Sequence, residues 1–206
     1  AMNKAAAERL QLENALRLAL ERNEFRLHFQ PQIDIASGAV VAIEALIRWQ
    51  SPVMGLVPPD KFIPLAEEVG LIEAIGRWVL EESGRECRRL VDAGHASIRV
   101  AVNLSMQQLR KRDIVAVVRR MLQDNAIAAG QLELEVTETV TVEAPETTIG
   151  VLRQLRALGV LLSVDDFGIG FSNLSQLARL PLDELKIDRS LISDIGRSGK
   201  SEAIIR

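Results

Sequence analysis

One cysteine and two histidines among 206 residues leave little room for several kinds of chemistry. Cys87 alone cannot form an internal disulfide framework, and it fits a reducing compartment. Three such side chains nearly exclude a tetrahedral zinc site, so a metal here needs oxygen ligands. No run of eighteen apolar residues occurs, hence no membrane span is expected, and no signal-peptide pattern opens the chain. Neither charge sign dominates. With 25 Lys+Arg against 28 Asp+Glu the formal net charge is −3, which excludes a chain that coats nucleic acid through a general basic field. Any phosphate ligand must be held locally, by a few placed groups or by metal. There are no tandem repeats, no low-complexity tract and no internal linker. What is present is ordinary for a folded domain: 48% hydrophobic and 26% charged residues in a chain long enough for one substantial core.

Ala1-Met2 is read as a tag scar. From Asn3 to Arg22 the chain is rich in Ala, Leu, Glu and Arg, with Glu13/Arg17 and Arg17/Glu21 at i,i+4 spacing, which predicts a lead-in helix or linker from a preceding domain. Residues 23–206 are then one domain. Phe25–Ile35 and Ala39–Trp49 alternate around the turn Ala36-Ser37-Gly38, a hairpin pattern. Residues 50–60, with Pro52, Gly55, Pro58 and Pro59, predict a long loop, followed by helices over Lys61–Val69 and Leu71–Ala93 separated by Gly70. A rhythm then sets in. Ser97–Leu104 predicts a strand, Met106–Asn125 a helix, Gln131–Thr137 a strand and Pro145–Leu158 a helix with Pro145 at its first position. Val160–Val164 predicts a strand, Ser172–Leu180 a short helix, Glu184–Ile187 a strand and Leu191 onward a helix. Strands alternating with helices imply parallel βαβ units.

Each strand carries one apolar and one polar face. Glu44, Leu46 and Arg48 share a face, as do Arg99, Ala101, Asn103 and Ser105; Glu133, Glu135 and Thr137; Leu161, Ser163 and Asp165; and Glu184, Lys186 and Asp188. An open parallel sheet covered on both sides would be apolar on both. A closed barrel with a polar interior fits better, so the expected fold is α/β, a TIM-type (β/α)8 barrel. Five parallel candidates plus the first hairpin strand fall short of eight, and the chain stops inside a helical pattern. The C-terminal part of the domain is therefore expected to be missing.

Polar residues recur near the C-terminal ends of successive strands: Glu44, Asn103, Glu135, Asp165 with Asp166, and Lys186 with Asp188. That end of such a barrel is where active sites are built. Two like charges about 4 Å apart repel by roughly 4 kcal/mol at an effective dielectric near 20. A cluster of carboxylates at one mouth thus calls for a cation, and oxygen ligands favour Mg²⁺, Mn²⁺ or Ca²⁺. Asp165 and Asp166 would face opposite ways in a regular strand. Both can serve one site only if the strand ends there, a break that Gly168 and Gly170 supply. A second acidic ligand leaves room for two ions sharing a carboxylate, an arrangement suited to in-line displacement at phosphorus. Plainer roles stand beside these. Asp166 and Asp188 could be caps or turn formers, Lys186 could merely neutralise Glu135 or Asp165, and Glu138 could cap or brace a loop. Glu133 is expected to be solvated at the bottom of the barrel, His28 and His95 to be surface residues, and Cys87 to be a small core residue on a helix.

In order along the chain, Gln30-Pro31, Glu44-Ala45-Leu46 with Ile47-Arg48-Trp49, Pro58–Gly70 (PPDKFIPLAEEVG), Val102–Ser105, Glu135–Glu138, Asp165–Gly168 and Leu185–Asp188 resemble the EAL domain family of cyclic di-GMP phosphodiesterases. The resemblance implies a modified TIM barrel with an antiparallel first strand. It implies hydrolysis of one phosphodiester of cyclic di-GMP to linear pGpG with Mg²⁺ or Mn²⁺, two ions in all, and inhibition by Ca²⁺. Glu44, Asn103, Glu135 and Asp165 would ligate metal and Asp166 would complete a second site. Lys186 would orient or stabilise the attacking water or a phosphate oxygen, making Lys186, Glu44 and Asp165 the catalytic set. Gln30, Leu46 and Arg48 would contact the dinucleotide, and Glu138 would brace the loop Asp166–Asn173. Ile169, Phe171 and Asn173 depart from the family's pattern in that loop, and the family's later acidic segment lies beyond these residues. A homodimer, fusion to an upstream sensory or GGDEF-type domain and a cytoplasmic location are further implications; nucleic-acid polymers and membrane contact are not expected. The alternative is a cyclic di-GMP receptor that binds without turnover.

Overall fold

The computed structural model describes residues 2–111, 113–139, 145–168 and 177–193. Helix α1 (Met2–Ala19) leads into a hairpin of β1 (Phe25–Ile33) and β2 (Val40–Ser51). A short β3 (Gly55–Val57), α2 (Pro59–Glu68) and α3 (Ile72–Asp92) follow. The remainder alternates: β4 (Arg99–Leu104), α4 (Met106–Arg110), α5 (Ile114–Asp124), β5 (Leu132–Thr137), α6 (Glu146–Ala157), β6 (Leu161–Phe167), β7 (Glu184–Ile187) and α7 (Arg189–Ser193). The strands make one sheet in the order β1-β2-β4-β5-β6-β7, with β3 on β2. β1 runs antiparallel to β2, and every later neighbour along that order is parallel. This is the α/β pattern expected, including the antiparallel first strand.

Four of the chain's seven Phe and Trp residues explain how the hairpin attaches to the rest. Phe25, Trp49, Phe62 and Trp78 come from β1, β2, α2 and α3, with ring centroids 5.7–6.1 Å apart. Such tilted and edge-on pairs add about 0.5–1.5 kcal/mol each beyond area burial. The buried Trp49 indole donates to Glu24 Oε2 at 2.8 Å, so the polar handle of the cluster is satisfied. Outward-facing residues of the parallel strands (Val100, Val102, Leu132, Leu134, Leu162 and Val164) are fully withdrawn from water beneath the helices.

Several boundaries differ from expectation for local reasons. The 50–60 segment is not all loop, because Gly55–Val57 pairs with Trp49–Ser51. Met106–Asn125 is two helices. A continuous helix would place Arg112 and Asp113 in line with buried Leu109, whereas a break at Lys111 (ψ 128°) re-phases the chain to bury Ile114, Val115 and Val118. Pro145 is the N-cap of α6 rather than its first residue. Strand β6 runs on past Val164 to Phe167. Helix α7 begins at Arg189, ahead of the expected Leu191; its expected continuation, and most of the expected Ser172–Leu180 helix, lie outside the described residues. His28 and His95 are exposed, as expected. Cys87 is buried on α3, where burial pushes its thiol up to about 12, an inert core residue.

Candidate active site at the carboxyl ends of the strands

Sheet register decides which side chains meet. Gln30 on β1 lies opposite Glu44 on β2, Asn103 on β4 beside Glu135 on β5, and Glu135 beside Ser163 on β6. Glu44, Glu135 and Asp165 each send a carboxylate oxygen to a point where all three lie within 4.8 Å of one another. Asn103 Nδ2 donates to Glu44 Oε1 at 2.9 Å. Four of the predicted ligands thus converge from four strands.

Asp166 follows Asp165 on a strand that departs from expectation. The strand does not end at Asp165. Instead the β6–β7 register slips between Val164 and Phe167, and Asp166 itself takes a left-handed conformation at φ +56°. The irregularity rather than a strand terminus breaks the alternation, and it leaves Asp166 exposed beside Asp165. Asp166 is outside the three-carboxylate cluster, though its charge acts on Asp165. Partial burial, with the charges of Asp166, Glu44 and Asp188, holds the Asp165 carboxyl above its ordinary range. Asp188 has the plainer role. Its Oδ1 accepts from Ser190 Oγ at 2.5 Å and from Ser190 N–H at 2.7 Å at the start of α7, and these bonds, the hydroxyl's first, hold its own carboxyl below the ordinary range.

Beneath the mouth lies a charged floor that sequence reasoning misplaced. Glu133, expected to be solvated, is fully buried. Its Oε1 accepts from Ser163 Oγ at 2.7 Å and lies 3.6 Å from Lys186 Nζ, while its Oε2 lies 3.4 Å from Arg99 Nε. Arg99 also reaches Glu184 at 3.3 Å. Lys186 forms a close ion pair with buried Glu135, not with Asp165. Burial lowers the ammonium's affinity for its proton, with Glu133 and Glu44 opposing that shift. The inward parity of Arg99, Glu133 and Ser163 is visible in the sequence; their mutual contacts are not.

The other expected residues are nearby. Leu46 and Arg48 are half-buried and, with Asn103 and Thr137, line a cavity of about 310 Å³ between β2, α2, the first half of α3 and the end of β4. Gln30 is exposed. Glu138, just past β5, is buried and accepts from Gly168 N–H at 3.0 Å. Ile169, Phe171 and Asn173 lie outside the described residues.

The EAL domain model matches residues 13–206. The chain belongs to the EAL domain family. This EAL domain is 44% identical over 204 residues to the bifunctional diguanylate cyclase/cyclic di-GMP phosphodiesterase MucR of Pseudomonas aeruginosa, covering 99% of this chain and 30% of that protein. It is 47% identical over 199 residues to the cyclic di-GMP phosphodiesterase NbdA of the same organism, covering 97% of this chain and 25% of that protein. The EAL domain thus spans less than a third of either relative. Among solved structures, the P. aeruginosa MucR phosphodiesterase in complex with c-di-GMP matches with a TM-score of 0.88 at 44% identity, covering 95% of this chain and 79% of that one. The EAL enzyme Bd1971 in its cAMP- and cyclic-di-GMP-bound form matches with a TM-score of 0.87 at 31% identity, covering 98% and 55%. The fold is accordingly the TIM-like barrel of EAL domains. No helix among the described residues is long and apolar enough to cross a membrane.

Proposed function

We propose that this EAL domain hydrolyses one phosphodiester bond of cyclic di-GMP, giving linear pGpG, in a metal-dependent reaction. The observation that carries the reading is the convergence of Glu44, Glu135 and Asp165 oxygens within 4.8 Å beside Asn103. The donor set fits a hard divalent ion. The carboxylates of Glu44, Glu133, Glu135 and Asp165, with Glu184, Asp166 and Asp188 around them, outnumber the cations Arg99 and Lys186, an excess of negative charge that a divalent ion would offset. Burial first, and then the charges of Asp166, Glu44 and Asp188, raise the Asp165 carboxyl, and a cation at this point would oppose both causes. Glu44, Asn103, Glu135 and Asp165 would hold Mg²⁺ or Mn²⁺, and Asp166 would contribute to a second ion, with Ca²⁺ inhibitory. When bound, such ions neutralise phosphate charge and activate water.

The chain's own residues do the rest. Gln30, Leu46 and Arg48, on the strands flanking the mouth, would hold the dinucleotide against the carboxylates. Lys186 would place its ammonium against the attacking water or a phosphate oxygen. Glu138 would fix the backbone just beyond Asp166. Support for cyclic di-GMP as substrate comes from the MucR and NbdA phosphodiesterases and from the c-di-GMP complex of the MucR structure. A homodimer and fusion to an upstream sensory or cyclase domain, working in the cytoplasm, belong to the same proposal. Incubation with cyclic di-GMP and Mn²⁺ is expected to yield pGpG on chromatography. Tight binding of cyclic di-GMP without product would instead make the domain a receptor.

A further inference from the structure

The floor of the site carries a residue whose placement is not explained by metal ligation. Glu133 and Glu135 are both fully buried and both face the interior of β5, one pleat apart. The Lys186 ammonium sits between them, paired with Glu135 and 3.6 Å from Glu133. A buried carboxylate beside a second one is retained only with compensation. For Glu133 that compensation is specific: Ser163 Oγ and Lys186 at one oxygen, Arg99 at the other, with Arg99 itself anchored to Glu184.

We infer that Glu133 is a positioning residue that lets Lys186 give up Glu135 to a metal ion without leaving the site. The inference rests on the metal reading proposed above. A cation that takes the Glu135 carboxylate competes with the ammonium for the same oxygens. If Glu135 were its sole counter-ion, Lys186 would resist that exchange or swing away once displaced. Glu133 supplies a second carboxylate within reach of the same nitrogen, hydrogen-bonded by Ser163 and ion-paired with Arg99. Ser163 and Arg99 hold that carboxylate from β6 and β4, so it stays when Glu135 is occupied. Lys186 thus keeps its place on the floor, under the position where a phosphate would lie.

Mn²⁺ binding to the complete chain tests this without turnover, by electron paramagnetic resonance of the free ion. Glu133→Gln keeps shape and the Ser163 contact but removes the charge. Its Mn²⁺ affinity is expected to fall about tenfold, in the range typical for partners of metal ligands. In a Lys186→Met background the same change is expected to alter affinity less than twofold, because no ammonium remains to compete. A simple loss of field would weaken binding equally in both backgrounds and would overturn the inference, as would unchanged affinity in Glu133→Gln. Failure of the unsubstituted chain to bind Mn²⁺ would overturn the metal reading itself. Should Glu133→Gln not fold, Ser163→Ala is the second probe, expected to weaken Mn²⁺ binding two- to threefold with Lys186 present and not in Lys186→Met. In steady state, Glu133→Gln should lower kcat while KM for cyclic di-GMP stays within about threefold; a KM effect alone would contradict a role exerted through Lys186.

Discussion

Glu138 Oε2 accepts the backbone N–H of Gly168 at 3.0 Å, while the backbone N–H of Glu138 donates to Asp165 O at 3.2 Å. One residue therefore clamps the end of β6 from both sides of Asp166, across the gap where the β6–β7 register slips. A charged acceptor makes such a bond stronger than a neutral one. Glu138→Ala is expected to reduce Mn²⁺ affinity and hydrolysis together. Because Glu138 is buried, Tm should fall as well, by the equivalent of about 1–3 kcal/mol for a broken charge-assisted bond. Glu138→Gln retains an acceptor oxygen and should be milder on every measure. Unchanged Mn²⁺ affinity in the Ala variant would return Glu138 to the role of a plain strand-end residue.

The same turn makes Gly168 irreplaceable. Its φ of +106° is a region L side chains rarely adopt, and an added Cβ would lie 1.9 Å from Leu191 Cδ1. Gly168→Ala is expected to lower stability by at least about 1–3 kcal/mol and to cut activity by displacing Asp165 and Asp166. Because Leu191 is buried and its truncation has a cost of its own, the comparison is with Leu191→Ala: in that background Gly168→Ala should lower Tm by less than in the unsubstituted chain, since the clash is gone and only the backbone strain remains. No further loss of Tm in that background would mean that the conformation itself has no cost.

Glu44→Ala is expected to abolish hydrolysis while the chain stays folded. Removing one member of a repelling cluster relieves repulsion, and Asn103, being exposed, can exchange its lost partner for water. The metal-free Tm should therefore hold or rise. The Mn²⁺-induced rise of Tm, worth about 2.7 kcal/mol at a hundred times Kd for an intact site, should vanish. Normal turnover at limiting Mn²⁺ would remove Glu44 from the ligand set.

Asp165 predicts opposite pH trends for the free and metal-loaded chain. Its carboxyl is raised above 3.8, burial being the largest cause. A group raised on folding contributes stability at pH below its unfolded value, and loses that contribution as pH climbs through the folded value. The metal-free chain should thus shed this contribution as pH rises above 3.8, whereas binding Mn²⁺ needs the ionised carboxylate. The Mn²⁺-induced shift in Tm should widen over the same interval. An Asp165→Asn variant is expected to flatten both trends; a wild-type Mn²⁺ shift independent of pH would contradict the assignment.

Much of the site is legible in the sequence. Strand alternation has a period of two, so Glu44, Asn103, Glu135, Asp165 and Lys186 could be put on one face from parity alone. Boundaries that depend on long-range pairing were not legible. Gly55–Val57 starts on a glycine, is followed by Pro58 and Pro59, and becomes a strand only because β2 offers it an edge. The helix break at Lys111 was in principle readable, since charged Arg112 and Asp113 interrupt the apolar spacing after Leu109.

The sequence by itself determined the order and type of most elements, β3 and the break between α4 and α5 excepted, together with the inward parity of the polar residues and the family to which the motifs belong. All of these follow from local propensity, side-chain period and residue identity. Tertiary structure alone decided that Glu133 is buried rather than solvated, that Lys186 pairs with Glu135 and Glu133 rather than Asp165, and that Asp166 is left-handed within β6, exposed and outside the three-carboxylate cluster. Each of those depends on which strands lie side by side and at what register, and parity says which face a side chain takes but not what stands opposite it.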